Sequence, residues 1–135
     1  MTLMTWDSTW SVNVKEIDAQ HQKLIGIVNE LHEAMKAGKA RDVLGGVLAQ
    51  LADYTVYHFR AEEKLLQLHG YPEYGAHEKE HETFTKAVLD LKARNDRGGL
   101  ILTINVMAFL KDWLTGHILK TDKNYSPFLN GKGVV

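Results

Sequence analysis

Five histidines and two carboxylates recur along this chain at intervals that turn them toward a single interior. They are His21, His58 with Glu62, His77 with His81, and His117 with Asp122. Neutral imidazole and carboxylate together are the donor types that suit iron in a nitrogen–oxygen site. A lone histidine on an apolar helix face is usually a hydrogen-bonded core residue. Five of them with two acids pose a different problem, because buried polar groups need partners and a metal would satisfy all seven at once.

Helices must do the positioning. Residues i and i+4 stack on one helix face, close enough to serve the same or adjacent metals. His58/Glu62 and His77/His81 have this spacing, and both pairs lie on apolar stripes. The stripe of the first helix is His21, Leu24, Val28, Leu31 and Met35, from an N-cap at Asp18 to Gly38. The second runs from about Lys39 to His69 and stops at Gly70, with Leu44, Leu48, Leu51, Thr55, His58, Glu62 and Leu65 inward. Gly45 and Gly46 inside it imply close packing or a late helix start. The third runs from about Pro72 to Arg94 with His77, His81, Phe84, Val88 and Leu91 inward. After a loop at Asn95–Gly99, the fourth carries Leu100, Thr103, Met107, Leu110, Leu114 and His117. The reading is all-α: an up-down-up-down four-helix bundle over about 17–122, an irregular N-terminal arm over 1–16 with Trp6 and Trp10, and a tail over 123–135, forming one domain.

Asp122 fits only conditionally. Five residues past His117, it would point ~140° away on a regular helix. It can join the site only if the fourth helix loosens or ends near Lys120. His32 and His69 each follow a candidate ligand by eleven residues, about 16 Å along a helix, and are therefore expected outside the centre.

Composition removes several function classes. Sixteen basic residues against seventeen acidic ones leave no field for nucleic acid or an anionic membrane. The absence of cysteine excludes disulfides, thiolate zinc and iron–sulfur clusters. The first ten residues lack the basic and apolar regions of a secretory signal, and no apolar run approaches the ~20 residues of a membrane span. A cytoplasmic protein is expected. No large apolar patch marks the outer faces, so a monomer is expected too.

The order Asp18-Ala-Gln20-His21, His58-Phe59-Arg-Ala-Glu62-Glu63, Gly70-Tyr71-Pro72, His77-x3-His81 and Trp113-Leu114-x2-His117-Ile118-x3-Asp122 resembles the hemerythrin family over nearly the whole chain, arm included. Leu66, where many relatives carry methionine, is a departure that conserves volume. The resemblance implies two irons, bridged by an oxo or hydroxo group. His77, His81 and His117 would hold one iron and His21 and His58 the other, with Glu62 and Asp122 bridging. By ligand count the second iron keeps an open position, where dioxygen would bind reversibly. An apolar ring of Leu24, Phe59, Trp113, Leu114 and Ile118 would keep that position dry.

The expected role is therefore non-enzymatic: an oxygen carrier or store, delivering to an oxygen-consuming enzyme. A di-iron oxidase, or a protein that handles peroxide or nitric oxide, is the main alternative. Ferritin-type oxidase sites are carboxylate-rich, with Glu-x-x-His elements. Here only Glu78-x-x-His81 matches literally, and the stripe assigns His77, not Glu78, to the interior. A sensor module would need an output domain, and the arm is too short to be one while nothing follows Val135. Structural zinc wants four ligands rather than seven. Gln20, Glu63 and Glu80 are candidates for orienting the imidazoles.

Overall fold

A computed structural model describes residues 4–97 and 103–135. Every regular element in it is helical: α1 Lys15–Lys36, α2 Ala40–Leu68, α3 Tyr74–Asp96, α4 Thr103–Gly116, a π-helical turn His117–Asp122, and α5 Lys123–Gly131. A 3-10 turn, Ser8–Trp10, lies in the arm. The four long helices form the bundle, and the short links between α1, α2 and α3 make successive helices antiparallel neighbours. Leu100, expected to face inward, lies outside the described residues, as do Gly98 and Gly99 of the expected loop.

The helix ends follow local chemistry. Gly38 and Gly70 take positive φ (72° and 71°), the left-handed conformation that glycine adopts without a Cβ penalty. Beyond α2, the Tyr71 N–H reaches the Leu66 carbonyl at 2.9 Å and the Gly70 N–H reaches that of Gln67 at 3.1 Å. These two bonds form a Schellman cap. Tyr71 and Leu66 also share a buried apolar cluster, supplying the cap's side-chain contact. Pro72 sits in the turn before α3 rather than in its first turn, since α3 begins at Tyr74.

The expected N-cap at Asp18 is corrected. The helix starts at Lys15, three residues earlier, with Val14 at the cap position and no side-chain cap. Asp18 instead accepts hydrogen bonds from Ser11 Oγ at 2.6 Å and the Val12 N–H at 2.8 Å, tying the arm to the helix. Its charge still favours the positive end of the helix dipole. Further back, Met4 and Asn29 exchange two hydrogen bonds, at 2.9 and 2.8 Å. The arm is thus anchored at both ends and is not wholly irregular. Nor is the tail, since α5 occupies most of it.

Two apolar clusters flank the predicted ligands. The larger joins Leu24, Val28, Leu31, Leu44, Leu48, Leu51, Phe84, Val88, Met107, Leu110 and Leu114. The smaller joins Val12, Val14, Ile17, Leu66, Tyr71, Tyr125 and Leu129. Along α1 the order is Ile17, His21, Leu24, and along α2 it is Phe59, Glu62, Leu66, so the seven polar residues lie between the two clusters. Leu66, not the expected Leu65, is the fully buried leucine at that end of α2. Gly45 and Gly46 lie well inside α2, which removes a late start. A Cβ on Gly45 would stand 3.1 Å from Asn95 Nδ2, so close packing accounts for that one; nothing in the structure explains Gly46.

Asp18→Ala would remove the acceptor of two part-buried, charge-assisted bonds. It should cost about 2–3 kcal/mol, read as a lower urea midpoint, and should raise proteolysis within residues 4–14. An unchanged midpoint would show that Asp18 does not hold the arm.

Candidate metal centre

All seven predicted residues are buried and converge on one volume. α1 supplies His21, α2 supplies His58 and Glu62, and α3 supplies His77 and His81. His117 and Asp122 open and close the π turn. Hydrogen bonds from i to i+5 widen such a turn, which returns residue i+5 toward the face of residue i. This is the loosening that Asp122 required. His32 and His69 belong to neither of the two metal-competent groups found among the described residues.

Those groups are Glu62, His77, His81, His117 and Asp122 on one side, and His21, His58 and Glu62 on the other. The carboxylates divide their oxygens between them. Glu62 Oε1 lies 2.5 Å from His77 Nε2 and 3.0 Å from His81 Nε2. Its Oε2 faces His58 Nε2 at 3.5 Å and His21 Nε2 at 3.6 Å. Asp122 repeats the pattern: Oδ1 is 3.0 Å from both His77 and His117 Nε2, while Oδ2 is 3.1 Å from His21 Nε2. One oxygen of each acid serves each imidazole group.

Tautomers can be argued from the outer nitrogens. His58 Nδ1 donates to Gln20 Oε1 at 2.6 Å, His81 Nδ1 to Glu63 Oε2 at 2.7 Å, and His117 Nδ1 to Glu80 Oε1 at 3.0 Å. These are the three residues that the sequence offered as orienting groups. A neutral imidazole with its proton on Nδ1 presents a lone pair at Nε2, so three lone pairs aim at two carboxylates. The Nε2 atoms of His81 and His117 stand 3.0 Å apart. His21 Nε2 and both Asp122 oxygens are buried and make no hydrogen bond within the described structure, although partners stand 3.0–3.1 Å away. They are close but not aligned on one another. An inward-facing set with more acceptors than donors fits a pair of cations.

Electrostatics point the same way. Burial pushes the His21 and His77 pKa values down, but Asp122 and Glu62 outweigh it and raise them to about 9 and about 10. Burial dominates at His58, which falls to about 3. Burial would raise Glu62, yet the imidazoles of His21, His77 and His81 that face it hold it well below the usual carboxylate range. Burial and Glu62 also oppose ionisation of Asp122, and His117 and His21 reverse that. Both acids stay ionised and draw positive charge inward, as protons on His21 and His77 or as metal.

Two contributors escaped the sequence reading. Tyr125, fully buried, donates its hydroxyl to Glu62 Oε2 at 2.8 Å. Burial and the neighbouring acids raise its pKa well above 10, so it remains a donor. Its position three residues after Asp122 was the available signal. Thr121 donates to Glu80.

The five residues of the expected apolar ring all belong to or pack on the larger apolar cluster. Phe59 stacks on His81, with centroids 3.8 Å apart, and Trp113 on His117 at 4.3 Å. Those rings therefore cover imidazoles of the three-histidine group. Trp113 is half-buried.

Comparison with known proteins converges on one family. The model of the hemerythrin HHE cation binding domain matches residues 12–129. A bacteriohemerythrin of Methylococcus capsulatus is 37% identical over 131 residues, covering 96% of this chain and 99% of the relative. One from Stenotrophomonas maltophilia is 34% identical, covering 93% and 81%. The crystal structure of a wild-type hemerythrin superposes with a TM-score of 0.87 at 37% identity, covering 94% of this chain and 98% of that one.

Metal loading should release protons, because ligation requires neutral imidazole. At pH 7 the metal-free protein holds protons on His21 and His77, so loading should expel about two per chain. Calorimetry in buffers of different ionisation enthalpy would read this number, and it should fall as pH rises through 9–10. In the metal-free protein, the raised pKa values stabilise the fold fully below the ordinary histidine value of 6.5, and that stability is lost as pH rises through 9–10. Loading with no proton release at pH 7 would contradict the assignment.

Proposed function

The chain belongs to the hemerythrin family, whose members bind a di-iron centre, and from that premise we propose that it binds dioxygen reversibly, as a carrier or store supplying an oxygen-consuming enzyme. In this reading His77, His81 and His117 hold one iron, His21 and His58 hold the other, and Glu62 and Asp122 bridge them. The observation that carries it is the division of each carboxylate's oxygens between the two imidazole groups. Two ferrous ions, when bound, supply two electrons and an open coordination position, which together let dioxygen bind and leave.

The chain's own part is to hold, orient and keep dry. Gln20, Glu63 and Glu80 fix the tautomers of His58, His81 and His117, leaving each Nε2 free to ligate. Tyr125 fixes the rotation of Glu62. Leu24, Phe59, Leu114 and Ile118 are buried, with Trp113 packed beside them. An apolar wall of this kind keeps water and stray protons from the bound gas, which favours release of dioxygen unchanged.

Five imidazoles to two carboxylates favour a carrier over an oxidase, because a set with so few anions stabilises the ferric pair less. No helix among the described residues is long and apolar enough to cross a membrane.

Protein purified without oxygen should contain two irons per chain and be colourless. Admitting air should produce a visible charge-transfer band that disappears under vacuum. One metal per chain, or zinc in place of iron, would overturn the proposal. Direct conversion to an oxidised form with no reversible phase would favour the oxidase.

A further inference from the structure

The π turn that places Asp122 needs something to hold it. On a regular helix Thr121, four residues after His117, would share the His117 face, and Asp122 would point ~140° away. Such widened turns are rare and are found frequently at functional sites. Here the turn is gripped from outside by a single side chain of α3. Glu80 accepts from His117 Nδ1 at 3.0 Å through Oε1, and Thr121 Oγ1 donates to it at 3.0 Å from each carboxylate oxygen. One carboxylate therefore holds both the first residue of the turn and the residue just before Asp122.

Other threonines of the bundle show what Thr121 forgoes. A helical threonine commonly bonds the carbonyl four residues back. Thr83 does so to Lys79 at 3.0 Å, and Thr115 to Lys111 at 2.7 Å. Thr121 instead reaches across to another helix. Its bond is also poorly placed to stabilise the fold as a whole, since the Glu80 side chain is 45% exposed. A hydroxyl bond to a group so open to water adds little net stability. What the contact can supply is direction.

We propose that Glu80 and Thr121 form a clamp that sets the register of the π turn and so places Asp122 between the two imidazole groups. Both are positioning residues: Glu80 meets His117 only at its outward Nδ1, and neither is among the seven inward-facing residues. The inference rests on the di-iron reading above. It separates Glu80 from Glu63 and Gln20, each of which holds one imidazole and no backbone turn.

The test compares Thr121→Val, which keeps shape and loses the hydroxyl, with Thr121→Ser, which keeps the hydroxyl. Apoprotein is titrated with ferrous iron alone, without oxygen, against a chromogenic chelator. Amide hydrogen exchange across residues 117–123 is followed in the same apoproteins. Thr121→Val should weaken iron binding roughly tenfold or more, within the range for loss of a group that orients ligands. It should also speed exchange in the turn, leaving the thermal midpoint of the apoprotein within a few degrees. Thr121→Ser should restore both. Iron affinity and exchange in Thr121→Val equal to the parent, or a serine variant as impaired as the valine, would overturn the clamp. A parent that binds fewer than two irons overturns the di-iron reading instead, and with it the purpose assigned to the clamp. The exchange comparison would then show separately whether the hydroxyl holds the turn.

Discussion

Glu62 and Asp122 are ionised at the centre of the bundle with no exposure to solvent, and the rest of the structure answers to that fact. A buried anion without compensation costs several kcal/mol even after the protein relaxes around it. Water is shut out by an apolar cluster on either side, and among the described residues no lysine or arginine pairs with the two acids. Among the described residues the compensating groups are the imidazoles and the Tyr125 hydroxyl, and three of the five imidazoles turn their Nδ1 protons outward. Positive charge must come from elsewhere, as protons on His21 and His77 or as metal. The site is therefore built to be completed.

This constraint explains features that look unrelated. Each helix delivers its polar residues at one level, so the apolar stripes are interrupted in register and re-form beyond it. Gln20, Glu63 and Glu80 stand behind three imidazoles because an inward lone pair requires an outward proton. Tyr125 is buried without an apolar partner for its hydroxyl because Glu62 needs a donor there. The arm, tied by Asp18 and Asn29, seals the smaller cluster with Val12 and Val14.

Much of this was legible in the residues. The 3–4 periodicity and the i, i+4 pairs gave the helices and six of the seven inward residues outright, because side-chain direction on a regular helix follows from spacing alone. Asp122 was only conditional, since its direction depends on a local departure from regularity that tertiary contacts select. The same departure hid Thr121. Asp18 was misread because a helix N-cap and an acid in the first turn share one composition signal, and only the arm's fold distinguishes them. Leu65 and Leu66 differ by one residue in a stripe that drifts near a helix end. The stacking of Phe59 on His81 and of Trp113 on His117 depends on how neighbouring helices rotate, which spacing within one helix does not report.

Anomalous diffraction at the iron edge, on crystals of protein purified and frozen without oxygen, tests the central claim most directly. Two peaks about 3.5–4 Å apart or closer are predicted, one among His77, His81 and His117 and the other between His21 and His58, with an oxygen of Glu62 and of Asp122 on each. A single peak, or two peaks that share neither carboxylate, would contradict the account.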